Sequence, residues 1–184
     1  MLELTRPYGA ALRPFVSAQV TTALARERWE LSSYWALRRA IFCEETALFA
    51  GELQERDPHD ERALPIIAVA HSAGTPDQIV GVVRIYEREP GIWFGGRLGV
   101  EQAYRARGRV GTALVRTAVQ SAIALGCERF YATVLYQNAR YFERLAFVSE
   151  SAIEVCGRPH VLMQASLAAY GAGVDRAERA QTAA

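Results

Sequence analysis

The residues of this chain best suited to chemistry gather in Arg105-Ala-Arg-Gly-Arg-Val-Gly-Thr112, three arginines and two glycines at the start of a helical pattern. The first turn of a helix leaves backbone N–H groups without intrahelical partners, and the helix dipole adds partial positive charge there. Small residues let an anion approach that backbone, and guanidinium forks add donors, so the segment suits a phosphate group. Arginines in a turn are also a common solvated surface, and that reading stands beside the first. Two familiar phosphate loops do not fit. A GxxxxGK[ST] loop requires a lysine, and the chain contains none. A GxGxxG fingerprint is absent because Gly108-Arg-Val-Gly111 lacks the first glycine pair. What remains is a loop that would grip a pyrophosphate through its backbone.

Two elements must position this turn. Before it, Ile92–Phe94, Leu98 and Val100 follow the turn dipeptide Pro90-Gly91 and predict a strand over Ile92–Val100. After it, Val110, Leu114, Ala118, Ala122 and Leu125 recur at spacings of four and three and predict a helix. Upstream, Phe15–Thr22 has the β-branched content of a first strand. Helical spacings among Trp29, Leu31, Tyr34, Trp35, Leu37, Ala40, Ile41, Leu48 and Phe49 predict one helix or two short ones over 26–49. The polar stretch Gly51–Arg62 reads as a loop, and Ala63–His71 and Ile79–Glu87 as buried strands. Beyond the helix come a strand at Phe130–Leu135, a short helix at Asn138–Leu145, and strands at Phe147–Val155 and His160–Leu167. Residues 170–184 are small, charged and aperiodic, the pattern of a frayed tail after one domain over 1–169. This order implies a mixed sheet flanked by helices, an α/β or α+β single domain. Parallel strands joined across the helix would put its N-terminus at the carboxyl ends of the strands, where such sheets bind ligands.

Composition narrows the partners. The chain has 184 residues, of which 51% are hydrophobic, and a formal net charge of +1. That is the profile of a globular protein with no polyanion-binding surplus, so no nucleic-acid partner is expected. Three widely spaced cysteines, Cys43, Cys127 and Cys156, form no CxxC, which predicts reduced thiols in a cytoplasmic protein and no metal site. No apolar run of about 18 residues exists, so no membrane partner is expected. The missing lysine removes Schiff-base chemistry.

On these residues the chain resembles the GNAT superfamily of N-acetyltransferases over Phe15–Leu167. The pieces are Arg97-Leu-Gly-Val100, Tyr104-Arg-Ala-Arg-Gly-Arg-Val-Gly-Thr-Ala-Leu114, then Asn138 and Tyr141-Phe-Glu-Arg-Leu-Ala-Phe147. The resemblance implies a twisted mixed sheet of about seven strands, with a splayed strand pair admitting the pantetheine arm of acetyl-coenzyme A. Backbone of Leu98, Gly99 and Val100 would pair with the pantetheine amides. The pyrophosphate would sit on Arg107, Gly108, Arg109, Val110, Gly111 and Thr112, with Arg105 opening the loop. Asn138 and Phe142 would border the acyl end. Acetyl-CoA is the expected co-substrate, with a small-molecule amine as acceptor; a homodimer is left open.

Two departures from the family pattern stand out. The loop [Q/R]xxGx[G/A] fits Arg105 and Gly108 from the strand side, while Gly111 falls one residue late, so Arg109 or Val110 takes a place often held by glycine. The tyrosine that often serves the family as general acid is Phe142 here, leaving Tyr141, Tyr136 or a water as substitutes. Leu37-Arg-Arg-Ala-Ile-Phe-Cys-Glu-Glu45 and Asp57-Pro-His-Asp60 are similar to a branch with an Arg–Phe–Glu signature. Gly157-Arg-Pro-His-Val-Leu-Met163 resembles bacterial members associated with nitrogen-starvation gene clusters.

Acyl transfer to an amine needs a neutral nucleophile near the thioester and a stabilised oxyanion, which a backbone N–H near Gly99 or Val100 could supply. No acid stands between Ile92 and Val100, so the base must come from Glu44, Glu45, Glu87 or His160. Adjacent Glu44 and Glu45 diverge by about 100° on a helix, so at most one faces a cleft. Besides acetyl transfer, two other readings remain: an acyltransferase of the homoserine-lactone-synthase type, and a non-catalytic acyl-CoA sensor.

Overall fold

Alternating and continuous apolar runs collapse this chain onto one seven-stranded sheet in a computed structural model that describes residues 16–46, 49, 55–106 and 108–171. The strands are β1 (Val20–Leu24), β2 (Leu64–Ser72), β3 (Thr75–Glu89), β4 (Ile92–Val100), β5 (Arg129–Leu135), β6 (Phe147–Val155) and β7 (Arg158–Ala165). Their order is β1-β2-β3-β4-β5-β7-β6. Only β4 and β5 run parallel. The described helices are α1 (Arg28–Arg39), α2 (Arg109–Ala124), α3 (Ala139–Glu143) and α4 (Ala168–Gly171). Helix α2 is the crossover that parallel neighbours require.

Strands β2 and β3 are apolar on both faces because both faces are covered. Ile66, Ala68, Val80, Val83 and Ile85 pack against the α2 stripe of Val110, Leu114, Ala118 and Ala122. Ile67, Val69, Ile79 and Val82 pack against Tyr34, Leu31 and Leu37 of α1. Each fully buried aliphatic side chain stabilises the fold by about 1.5–3 kcal/mol. The sheet thus has an α1 face and an α2 face.

Between β4 and β5 the pairing is short. Register pairs run from Ile92↔Arg129 to Gly95↔Ala132 and then stop. On its other edge β4 pairs with β3 through Arg84↔Gly96 and Val82↔Gly99, so Arg97 and Leu98 together oppose Val83. That bulge places Arg97 at φ +55, a conformation that a non-glycine residue adopts only when its surroundings impose it. A bulged strand bends. Here the bulge falls where β4 parts from β5.

Two expectations need correction and a third gains detail. The first strand begins at Val20 and runs past Thr22 to Leu24, and Phe15 lies outside the described residues. The helical stretch 26–49 holds two consecutive helical segments, as its spacing allowed, but the second, Ala40–Glu45, is π-helical. The wider turn brings Ile41 and Phe42 against β4, where a Cβ on Gly99 would stand 2.9 Å from Ile41 Cδ1. The chain is also ordered past residue 169. Tyr170 is only 6% exposed, its ring lies 6.5 Å from that of Phe147, and its hydroxyl donates to the Leu145 carbonyl. The rest of the expected tail, 172–184, lies outside the described residues.

Candidate active site

Helix α2 begins where the sequence placed its chemistry. Gly108 precedes it at φ +63, a left-handed turn that glycine adopts at little cost. Its N–H donates to the Arg105 carbonyl at 3.1 Å, and the Thr112 N–H closes the first helical turn onto Gly108 at 3.0 Å. Arg109, Val110 and Gly111 are therefore first-turn residues of the helix, not loop, and present the amides that a helix start leaves unpaired. Arg107 lies outside the described residues.

Tyr141 covers this turn. Its hydroxyl is 3.2 Å from Thr112 Oγ1, and a Cβ on Gly111 would come within 2.8 Å of it. The expected general acid is thus drawn to the start of α2 and does not line the cavity described below. Tyr136, its alternative, is 67% exposed. Arg105 turns away from the helix start: Nε donates to the Val100 carbonyl at 2.7 Å, and its two Nη atoms grip both oxygens of Glu45. The hydrogen bond from Arg105 holds the Glu45 carboxyl below the usual carboxylate range, which makes it a poor base. Glu44 points to solvent and pairs with Arg39 at 3.4 Å. Glu87 accepts from the Gly91 N–H in the β3–β4 turn.

A cavity of about 330 Å3 runs through the opening between β4 and β5. Val115, Phe130, Phe142 and Phe147 wall it on the α2 side, and Phe42, Phe49, Tyr86 and Phe94 on the other. Asn138 and Phe142, expected at the acyl end, line it; of the residues expected along the pantetheine, Leu98 lines it, whereas Gly99 and Val100 do not. His160 lines it too, 7% exposed, opposite Leu135 in the β5–β7 register. Its Nδ1 lies 2.8 Å from the Arg158 carbonyl. A carbonyl only accepts, so neutral His160 is assigned its proton on Nδ1, which leaves a lone pair on Nε2.

On the α1 face the cavity ends on a set of charges that the sequence showed only as scattered residues. Arg38 is fully buried, donates to Glu55 Oε1 from Nε at 2.8 Å and to Asp60 Oδ1 from Nη1 at 2.7 Å, and stacks 4.6 Å over Trp35. Arg84, 3% exposed, grips both oxygens of Asp57 and reaches Asp60 at 2.6 Å. Arg97 reaches Glu55 at 3.1 Å and Asp57 at 3.2 Å, with the Phe49 ring 4.5 Å away. Three guanidinium groups thus meet three carboxylates. The expected loop 51–62 supplies all three acids, and a 3-10 turn over Pro58–Glu61, capped by Asp57, fixes two of them. The available signal was an arginine on the apolar side of a helical pattern, followed by paired aspartates about 20 residues on.

This network sets an acid limit on stability. Burial raises the Asp60 pKa, but hydrogen bonds from Arg38 and Arg84 outweigh it and bring it down to about 2. Asp57 is lowered as well, burial being outweighed by Arg84 and Arg97. A carboxyl whose pKa is depressed by folding stabilises the native state above its unfolded value near 3.9 and loses that contribution as pH falls through the folded value. We expect Asp60 to contribute about 2 kcal/mol at neutral pH that disappears between about pH 4 and pH 2. Urea titrations across that range check it, and Asp60→Asn should flatten the dependence.

A sequence model of the Acetyltransferase (GNAT) family matches residues 24–147. The chain belongs to the GNAT family. The likeness extends to solved structures. A candidate N-acetyltransferase from Lactobacillus plantarum is 21% identical with a TM-score of 0.70, over 80% of this chain and 98% of the other. An acyl-CoA N-acyltransferase from Pseudomonas aeruginosa is 23% identical with a TM-score of 0.64, over 80% and 99%. An aminoglycoside 6'-N-acetyltransferase complexed with coenzyme A is 14% identical with a TM-score of 0.61, over 80% and 97%. No curated protein sequence matched. At these identities the structural matches show that the GNAT fold is shared. Among the described residues, no helix is long and apolar enough to cross a membrane, and no three His, Cys, Asp or Glu side chains group as a metal site.

Proposed function

We propose that this GNAT protein transfers an acetyl group from acetyl-CoA to the amine of a small metabolite, by direct attack in a ternary complex. The observation that carries the reading is the β4–β5 register that stops at Gly95↔Ala132, opening a cavity through the sheet against Val115 and Ala118 of α2. In this reading the pyrophosphate binds the unpaired amides at Arg109–Gly111, where the helix dipole favours negative charge. The pantetheine arm lies along the unpaired edge of β4 and brings the thioester towards Gly96. Donor and acceptor then approach the sheet from opposite faces. The amine nitrogen forms a bond to the thioester carbon, the C–S bond breaks, and the proton leaves the amine for His160 Nε2, directly or through one water. His160 is the choice because Asp57, the carboxylate lining the cavity, is held ionised by two arginines and is a weak base. Phe142 donates nothing to the departing sulfur, and a thiolate, far less basic than an alkoxide, leaves without a donor. A cytoplasmic, bacterial enzyme accords with this reading.

The test is thiol release from acetyl-CoA across a panel of small amines. We expect release with at least one acceptor class, and about 10²-fold slower turnover in His160→Gln with an unchanged dissociation constant for acetyl-CoA. Acetyl-CoA binding with no thiol release on any amine would leave a non-catalytic binding protein in place of an enzyme.

A further inference from the structure

We infer that the acceptor carries a carboxylate next to its amine, and that Arg84 and Arg97 bind it: the substrate class is an amino acid or a close relative. This rests on the acyltransfer reading above and adds to it the chemistry of the second substrate.

The observation is an orphan. Buried Arg84 spends both Nη atoms on Asp57 and Asp60, yet its Nε–H has no hydrogen-bond partner among the described residues. A buried donor left unpaired costs about 1–3 kcal/mol, so such groups ordinarily have a partner. This one lies beside a bare stretch of backbone. A Cβ on Gly96, Arg84's cross-strand partner, would stand 3.8 Å from Nε and would meet no other atom outside the neighbouring residues within 4 Å. Both residues line the cavity. The missing partner is therefore an acceptor atom entering from the cavity on the α1 face.

Arg97 points to the same spot by a separate route. Its backbone is held left-handed at the bulge, and its guanidinium reaches the cluster with Nε and Nη2 engaged; Nη1 bonds to no described residue. Burial and the neighbouring Arg84 weaken its hold on its own proton, so an additional anion there is favourable. The network itself is balanced, Arg38, Arg84 and Arg97 against Glu55, Asp57 and Asp60. It therefore admits a ligand carboxylate whose charge is offset by its own ammonium until the proton leaves. A carboxylate is also the planar acceptor that guanidinium donors hold best.

Position then links recognition to reaction. Gly96 is the first residue of β4 past the last β4–β5 pair, so a carboxylate over it lies at the apex of the opening. An α-amine sits roughly 3 Å from its own carboxylate oxygens, within the near-attack range of a thioester brought to the same apex. Phe42, Phe49, Tyr86 and Phe94 leave apolar walls for the side chain. Arg84 and Arg97 are accordingly positioning residues that touch the acceptor away from its nucleophile.

The test compares matched acceptors, amino acids against their amides and their decarboxylated amines, in the intact protein with acetyl-CoA. We expect kcat/KM at least about 100-fold higher for the carboxylate members, carried mostly in KM. That preference should fall below about fivefold in Arg97→Gln, with the KM for acetyl-CoA unchanged. Because Arg84→Gln disturbs a buried network, it is read only alongside circular dichroism, and Arg97→Gln, on a partly exposed side chain, decides. Equilibrium titration of the coenzyme A complex with the same pairs reads recognition without catalysis. Carboxylate-selective binding without turnover would sink the enzyme reading and keep this one. Amides or simple amines used as well as acids would overturn this inference and leave acyl transfer standing. So would an Arg97→Gln loss shared equally by all acceptors, which would point to the donor carbonyl as the group that Arg84 and Arg97 hold.

Discussion

Arg38→Ala is expected to destabilise the fold by about 3–5 kcal/mol, the largest stability effect of any substitution considered. The guanidinium is wholly buried and satisfies Glu55, Asp60 and the Tyr34 hydroxyl at once. Removing it leaves Glu55, only 2% exposed, with Arg97 as its remaining charged partner among the described residues. Stacking over Trp35 is lost too. Against a domain stability of about 5–15 kcal/mol, that is a large fraction of the whole. Urea unfolding at pH 7 measures it. Arg38→Lys should recover only part of the loss, because an ammonium cannot supply the two-nitrogen grip on Glu55. A loss below about 1 kcal/mol for Arg38→Ala would mean that the network is solvated and contributes little.

Gly111→Val is expected to weaken coenzyme A binding by about 10- to 100-fold while leaving the fold intact. A Cβ there meets the Tyr141 hydroxyl at 2.8 Å and forces the ring off the first turn of α2. The branched side chain then stands over the amides that the diphosphate would use. Losing one or two charge-assisted hydrogen bonds is worth about 1.5–3 kcal/mol, which sets the fold-change. Within the helix, valine is no worse than glycine, so melting temperature should hold. Calorimetric titration with coenzyme A settles it. Unchanged affinity would remove the pyrophosphate from the start of α2 and, with it, the proposed path of the pantetheine arm.

Much of the scaffold was legible because its signals are local. The spacing from Val110 to Ala122 reflects one apolar stripe on one helix, although Leu125, which continues the period, is the exposed C-cap, and the strands Ile92–Val100 and Phe147–Val155 fall at their expected bounds. The family motif likewise gave the start of α2. What periodicity could not give were features made by distant residues. Arg38, Asp60 and Arg84 look like ordinary surface charges until α1, a 3-10 turn and β3 bring them together. Tyr141 lies next to Phe142 in sequence, yet one covers the start of α2 and the other lines the cavity. Residue type alone makes Glu44 and Glu45 candidate bases, whereas Arg105, the partner that engages Glu45, lies 60 residues away. Tyr170 reads as tail because a single aromatic in a stretch of alanine and glycine has no period to betray its burial.

The break in pairing after Gly95↔Ala132 has a mechanical side. Strands β1 to β4 form one plate and β5 to β7 another, and only four register pairs seam them together within the sheet. A molecule lodged along that seam would touch both plates and add contacts between them, beside those that α2 already makes beneath the sheet.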